Sequence, residues 1–174
     1  HLIYPNAKPN FAHKYLARLE QDGKLTAVIT QNIDCLHEMA GSKNVLKLHG
    51  TVDSNTCVRC GKKYNLEKFL KICETESIPH CPECNGIIKP DVTLYEEVPD
   101  PDTFRKAINE ISKADTLIIG GTSLIVYPAA SLIHYFQGKN LVLINKSKTE
   151  QDNFVNLAIH ESIGEVFKKL KKII

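Results

Sequence analysis

Two Cys-x-x-Cys pairs, CVRC at 57–60 and CPEC at 81–84, constrain this chain more than any other feature of its sequence. A tight Cys-x-x-Cys turn lets two thiolates reach one ion, and two such turns complete a tetrahedron with no open position. Gly61 follows the first pair and Asn85-Gly86 the second, which supplies the permissive backbone these turns need. Cys57, Cys60, Cys81 and Cys84 are therefore read as ligands of one structural Zn²⁺. Disulfides are the competing reading. The opening HLIYPNAKPN has no charged segment leading into an apolar one, so no secretory leader is read there and reduced thiols are expected. His80, beside Cys81, is a minor alternative ligand. A closed site of this kind stabilises its fold by on the order of 10 kcal/mol and offers substrate no position, so the zinc is read as a staple, not a catalyst. Cys73 lies in the apolar-periodic stretch 66–73 and is expected to be a buried helix residue.

Apolar residues make up 43% of the 174 and charged residues 24%, as in globular proteins. No apolar run nears the roughly 18 residues of a membrane-spanning helix, so no membrane role is expected. Four thiolates on one Zn²⁺ would cancel the formal charge of +2 and remove support for a globally basic surface. The cysteine segment mixes Arg59, Lys62 and Lys63 with Glu67 and Glu83 and carries no interleaved stacking aromatics, so direct nucleic-acid binding is not expected either.

Around the cysteines, strand and helix patterns alternate. A helix opens at Pro9 with Phe11, Tyr15, Leu16 and Leu19 on one face and ends at Asp22-Gly23. LTAVIT (25–30) and NVLKLHG (44–50) read as strands. Beyond the cysteines, DVTLY (91–95) reads as a strand, 101–114 as a helix and DTLIIGG (115–121) as a buried strand. A helix is read from Pro128 through Ile133 to Phe136, then a strand in NLVLIN (140–145) and a closing amphipathic helix at 162–172. The predicted fold class is α/β: a Rossmann-like, doubly wound parallel sheet with an inserted four-cysteine zinc-ribbon module. Residues 1–52 and 90–174 are assigned to the nucleotide-binding domain and 53–89 to the zinc module.

Ligands of such sheets bind at the carboxyl ends of the strands. Strand 25–30 runs into Gln31, Asn32 and Asp34, a cluster of hydrogen-bonding groups that includes a possible cap. Strand 115–120 ends in Gly-Gly-Thr-Ser (120–123), suited to a phosphate, and strand 140–144 in Asn145-Lys146-Ser147, a polar corner suited to a ribose. Each signal is common in proteins of other function, and no G-x-G-x-x-G occurs.

Five ordered motifs carry a closer resemblance. TQNIDCLHEMAG (30–41), KLHG (47–50), the two cysteine pairs, GIIKPDVTLYEE (86–97) and GTSLIVYPAA (121–130) resemble the sirtuin family in that order. The resemblance implies an NAD-dependent deacylase of lysine side chains in proteins, which releases nicotinamide and an O-acyl-ADP-ribose. It implies that His49 is the general base, a task suited to an imidazole that titrates near neutrality. Gln31 and Asn32 match groups holding the nicotinamide ribose and a nearby water, and Ile33 and Asp34 those recognising the carboxamide. Gly121, Thr122 and Ser123 match phosphate and ribose contacts; Asn145, Lys146, Ser147 and Ile163 match the adenosine end. Val92, Thr93, Leu94 and Tyr95 match the strand that pairs with the substrate peptide, where main-chain bonds give affinity with little sequence selectivity. Acylated-lysine proteins are the implied partners, and the cytoplasm the expected location. The alternatives are ADP-ribosyl transfer to a protein acceptor, or an impaired fragment acting as a binding module.

The departures from the family pattern are specific. Neither the family's Gly-Ala-Gly-x-Ser phosphate loop nor its Pro-Asp-Phe-Arg segment occurs in residues 1–174. By themselves these residues are expected to bind NAD poorly and to turn over little. Cys35 stands where glycine is usual, which raises the question of a redox-sensitive thiol; that needs a lowered pKa and exposure. Lys89 replaces a common arginine. Tyr95-Glu96 replaces Phe-Gly, adding a charge and a Cβ where glycine would ease a turn.

Overall fold

The computed structural model describes Tyr4, residues 6–122 and residues 124–171. It divides into two compact units. One gathers Thr30–Cys35 with Lys47–Asp100; the other gathers Ala7–Ile29, Leu36–Leu46 and the chain from Pro101 onward.

In the second unit, helix α1 (Phe11–Gln21) opens two residues after Pro9, because Asn10 caps it. The Asn10 carboxamide oxygen accepts from the His13 amide at 3.2 Å and the His13 ring faces back to the Asn10 amide. The anticipated apolar face is the one that packs. Tyr15 stacks on Phe167 with ring centres 5.3 Å apart, and Phe11, Leu16, Leu19, Ile163 and Leu170 close around them. Phe167 belongs to helix α5 (Ile163–Leu170). Strand β1 is only Val28–Thr30, shorter than the 25–30 run, because the Leu25 amide is taken by the Leu19 carbonyl at the end of α1. Strand β2 (Val45–Lys47) pairs with it. The Val28 amide bonds Asn44 and the Leu48 amide bonds Thr30, an advance in step that makes the two strands parallel. Between them lies the single-turn helix α2 (Leu36–Met39).

The chain from Pro101 builds a parallel sheet. Helix α4 (Pro101–Lys113) buries Ala107 and Ile111. Strands β6 (Thr116–Gly120), β7 (Asn140–Ile144) and β8 (Leu157–Ile159) lie in that order, with Thr116 opposite Asn140 and Val142 opposite Leu157. β8 has no counterpart in the sequence reading: three residues in a polar stretch are too few to show a period. The helix anticipated from Pro128 to Phe136 is instead a 3₁₀ segment, Ala129–Tyr135. Its turns close three residues back, Ser131 to Pro128 and Phe136 to Ile133, and the Ser131 hydroxyl bonds the Pro128 carbonyl at 2.7 Å.

The first unit is organised by strand β3 (Gly50–Cys57), which lies antiparallel between β4 (Lys63–Asn65) and β5 (Ile88–Val92). Helix α3 (Leu66–Cys73), capped by the Asn65 side chain at 3.0 Å from the Lys68 amide, lays Phe69 against Tyr64, Ile88, Cys57 and Cys81. Asn55 is fully buried within β3, and its amide nitrogen bonds the Val52 and Tyr64 carbonyls. Two expectations are corrected here. Cys73 is in α3 but exposed, because it is the last residue of the helix, one turn beyond Phe69 and past the packed cluster. The strand read at 91–95 stops at Val92. Beyond it the Leu94 amide bonds the Glu97 carboxylate at 2.9 Å, the Glu97 amide bonds the Leu94 carbonyl, and Glu96 sits at φ +70°, so the chain turns.

Candidate functional site

His49 and the segment after β1 are assembled by short main-chain ties. The Asn32 amide folds back on the Thr30 hydroxyl at 3.0 Å, and the Ile33 carbonyl accepts from the Val52 amide at 3.1 Å. These two bonds seat 31–34 against the start of β3. The His49 ring then reaches the Gln31 carbonyl with Nδ1 at 3.0 Å. A carbonyl oxygen only accepts, so Nδ1 carries the hydrogen and Nε2 of the neutral ring keeps its lone pair. The His49 carbonyl accepts from the Thr93 amide at 2.9 Å. His49 is half-buried, preceded by the buried Leu48 and followed by the half-buried Gly50.

Gly50 explains how His49 comes so near β5. At φ +74°, a Cβ there would stand 2.1 Å from the Asp91 carbonyl oxygen. Of the residues proposed for a peptide, Val92 ends β5 buried, Thr93 is tied to His49, and Leu94 and Tyr95 are exposed. Gln31, Asn32, Ile33, Asp34, His49 and Val92–Tyr95 thus all fall in one unit.

The same unit holds the four cysteines. Their sulfurs all lie within 4.8 Å of one another; Cys57 and Cys84 are 3.4 Å apart and Cys60 and Cys81 3.7 Å. A tetrahedral Zn²⁺ with bonds of about 2.3 Å needs sulfurs a little under ~4 Å apart, so the residues fit the ion. Each knuckle is closed by a main-chain bond, Gly61 to Cys57 at 2.9 Å and Asn85 to Cys81 at 2.8 Å. The Tyr64 hydroxyl, 3.0 Å from the Cys81 sulfur, pulls that thiol down to about 6. Against the Gly86 amide, which lowers it, burial and the neighbouring sulfurs carry Cys84 up to about 12. Four sulfurs so close cannot all hold charge together without a cation, and a divalent ion answers that conflict. Cys57 and Cys81 are buried and Cys60 is exposed. His80 pairs with Glu76 at 2.9 Å and is not among the gathered ligands.

The remaining candidates fall in the other unit, at the carboxyl ends of the parallel strands. Gly121, at φ +64°, donates to the Ile144 carbonyl at 3.0 Å. Ile163, at the start of α5, presses on the end of β6: a Cβ on Gly120 would lie 2.2 Å from its Cδ1. Thr122 accepts the Leu124 amide at 3.1 Å; Ser123 lies outside the described residues. The Asn145 amide bonds Ile159 and its side chain bonds the Ser147 carbonyl at 2.9 Å, with Lys146 and Ser147 exposed. Gly121, Thr122, Asn145 and Ile163 thus lie at or beside the carboxyl ends of β6 and β7.

Sequence reasoning missed the partners of Cys35. Its thiol donates to the Asp53 carboxylate, and its sulfur lies 3.0 Å from the Lys47 ammonium and 3.6 Å from the Thr51 hydroxyl. Burial and the bond to Asp53 push the thiol up, and Lys47 offsets this only in part. The resting form is therefore the protonated thiol, hydrogen-bonded to Asp53, and its sulfur becomes a nucleophile only as Asp53 takes that proton. The partners lie 12 to 18 residues away along the chain, where no spacing rule would place them.

Comparisons with known proteins agree with one another. A model of the Sir2 family matches residues 1–128. An NAD-dependent protein deacetylase of Clostridium perfringens is 62% identical over 170 residues, 97% of this chain and 68% of that protein. Another, of Clostridium acetobutylicum, is 55% identical over 167 residues, 96% of this chain and 67% of that protein. The chain therefore spans about two thirds of the length of these relatives. Among solved structures, Sir2Tm bound to a propionylated peptide superimposes with a TM-score of 0.93 at 42% identity, over 98% of this chain and 74% of that one. A Sir2 structure with a p53 peptide and NAD⁺ gives 0.91 at 43%, over 96% and 70%.

Proposed function

The chain belongs to the Sir2 family, and we propose that it removes acyl groups from lysine side chains of proteins in an NAD-dependent reaction. The observation that carries this reading is the His49 imidazole, pinned at Nδ1 by the Gln31 carbonyl so that Nε2 is the basic atom, within a chain so close to named deacetylases. NAD, when bound, would supply an electrophilic ribosyl carbon with nicotinamide as its leaving group. His49 Nε2 accepts the proton of a ribose hydroxyl, the general-base role. Asn32 and Gln31 hold that ribose and a water; Ile33 and Asp34 recognise the carboxamide. Gly121, Thr122 and Ser123 take the phosphates, with Asn145, Lys146, Ser147 and Ile163 at the adenosine end. The substrate peptide runs beside Val92–Tyr95 and pairs with main-chain groups other than the Thr93 and Leu94 amides, which are held by His49 and Glu97. One water is consumed, the bond to nicotinamide is broken, and free lysine, nicotinamide and an O-acyl-ADP-ribose are the products.

Zn²⁺ on Cys57, Cys60, Cys81 and Cys84 supplies closure of the β4–β3–β5 sheet, since four thiolates fill its coordination shell. The functional division is 1–52 and 90–174 for NAD and 53–89 for zinc. No helix among the described residues is long and apolar enough to cross a membrane, and a cytoplasmic location is part of the proposal.

The test is nicotinamide release and peptide deacetylation by the purified protein with an acetyl-lysine peptide and NAD. His49→Ala is expected to lower the rate about 10²–10⁴-fold, the usual worth of a general base. Equal rates for both proteins, or deacetylation without NAD, would sink the reading.

A further inference from the structure

Cys35 is the one cysteine outside the zinc cluster with polar side chains gathered around it. Among the described residues its sulfur contacts three side chains and no second thiol: Asp53, which accepts its hydrogen, Lys47 at 3.0 Å and Thr51 at 3.6 Å. Thr51 also holds the Lys47 amine, 3.3 Å away, so hydroxyl, amine and sulfur form a closed triangle. All four residues belong to one compact unit.

This arrangement decides the fate of an oxidised sulfur. Sulfenic acids normally condense with a neighbouring thiol, or with a nitrogen to form a sulfenamide. No thiol is in reach here, and the nearest nitrogen is a lysine amine already at contact distance, which favours capture over escape. We propose that Cys35 and Lys47 form an oxidative cross-linking site, in which hydrogen peroxide converts the pair to a sulfur–nitrogen bond. In the first step the Cys35 sulfur attacks peroxide. One peroxide oxygen bonds to sulfur, the O–O bond breaks, and the thiol proton, relayed by Asp53, joins the departing hydroxide, which leaves as water. Lys47, having lost a proton to Asp53 or solvent, attacks the sulfur through its nitrogen lone pair. The S–O bond breaks and the departing oxygen leaves as a second water. Sulfur is oxidised by two electrons and peroxide reduced by two. In sum, a thiol, an ammonium and a peroxide give a sulfenamide, two waters and a proton.

The bond would tie the segment carrying Gln31–Asp34 to Lys47, two residues before His49. Reversible loss of NAD-dependent activity would follow; that consequence rests on the function proposed above, whereas the cross-link does not.

The experiment treats the zinc-loaded protein with hydrogen peroxide, removes the oxidant with catalase, alkylates free thiols and maps tryptic peptides by mass spectrometry. The expected product joins peptide 25–43, which carries Cys35, to peptide 44–59, left uncut at Lys47, is lighter than the sum of these two by two hydrogen atoms, and falls apart in dithiothreitol. Cys35→Ser and Lys47→Arg should both abolish it, and Lys47→Arg should leave a Cys35 sulfenic acid that dimedone captures. Three results overturn the proposal in the wild-type protein alone. Dimedone captures Cys35 while trypsin still cuts fully after Lys47; Cys35 advances to sulfinic acid without a link; or Cys35 stays a thiol at a dose that oxidises the exposed Cys73. Because the readout is a mass, a failed deacetylation assay leaves this test intact.

Discussion

The backbone of Gly50 passes so close to the Asp91 carbonyl oxygen that a single added carbon would stand 2.1 Å from it. Gly50→Ala must therefore push β3 from β5 and strain a left-handed φ of +74°. A loss of about 3 kcal/mol is expected from overpacking and strain together. Urea unfolding followed by circular dichroism measures it, and an unchanged midpoint would show that the two strands can separate at no cost. Because His49 precedes this residue, activity should fall in the same variant.

Tyr64 donates its hydroxyl to the Cys81 sulfur from a buried position against α3. Groups that bond a metal's ligands commonly change affinity by ten-fold or more when removed. Tyr64→Phe is expected to speed zinc loss to a competing chelator roughly tenfold, read by a colorimetric zinc indicator. Complete removal of zinc should expose the amides of β3, β4 and β5 to hydrogen exchange while those of β6, β7 and β8 stay protected. Uniform loss of protection across both groups would refute the assignment of the ion to one unit.

Glu96 adopts φ +70°, a conformation that costs a residue with a Cβ about 1–2 kcal/mol. Glycine relieves that strain but carries about 0.5–1 kcal/mol of extra unfolded-state entropy. Glu96→Gly is thus expected to stabilise the protein by about 0.5–1 kcal/mol, a rise in Tm of roughly 2 °C. A lower Tm would mean that the Glu96 side chain itself holds the turn.

The Cys35 thiol is raised above its ordinary value by burial first and by its bond to Asp53 second. The folded state thus holds its proton more tightly than the unfolded chain. That contribution to stability is complete below the ordinary thiol pKa and is lost as pH rises through the folded value. The rate of iodoacetamide labelling at Cys35 should reach half-maximum at a higher pH than in an unfolded peptide. Asp53→Asn, which removes one of the raising groups, should bring that midpoint down; a midpoint unmoved or raised would contradict the bond.

What was legible in the chain depended on how local the chemistry is. Cysteine spacing is a local constraint, and Cys57, Cys60, Cys81 and Cys84 converge as their spacing implied. The α1 face was legible because Phe11, Tyr15, Leu16 and Leu19 repeat at helical period. His49 drew its meaning from resemblance: an isolated Leu-His-Gly carries little, and its bond to Gln31 joins residues 18 apart. β3 was hidden because its polar residues Asp53, Ser54, Asn55 and Thr56 do not look like a buried strand; Asn55 is buried there with its amide nitrogen bonded to two carbonyls. The end of β5 was misplaced for a related reason. Thr93, Leu94 and Tyr95 have strand-forming side chains, but the Glu97 carboxylate captures the Leu94 amide.

Strand β3 begins at the residue after His49 and ends on the first zinc cysteine. Its pairing with β5 shifts register between Gly50 and Asn55 and runs regularly from Asn55 to Cys57. Side chains alternate along that regular part, so one residue inserted or deleted there would turn Cys57 to the opposite face and part it from the other three sulfurs. Lineages of this protein are then free to change length at the irregular start of the strand, while Asn55–Cys57 behaves as a ruler that must be inherited whole.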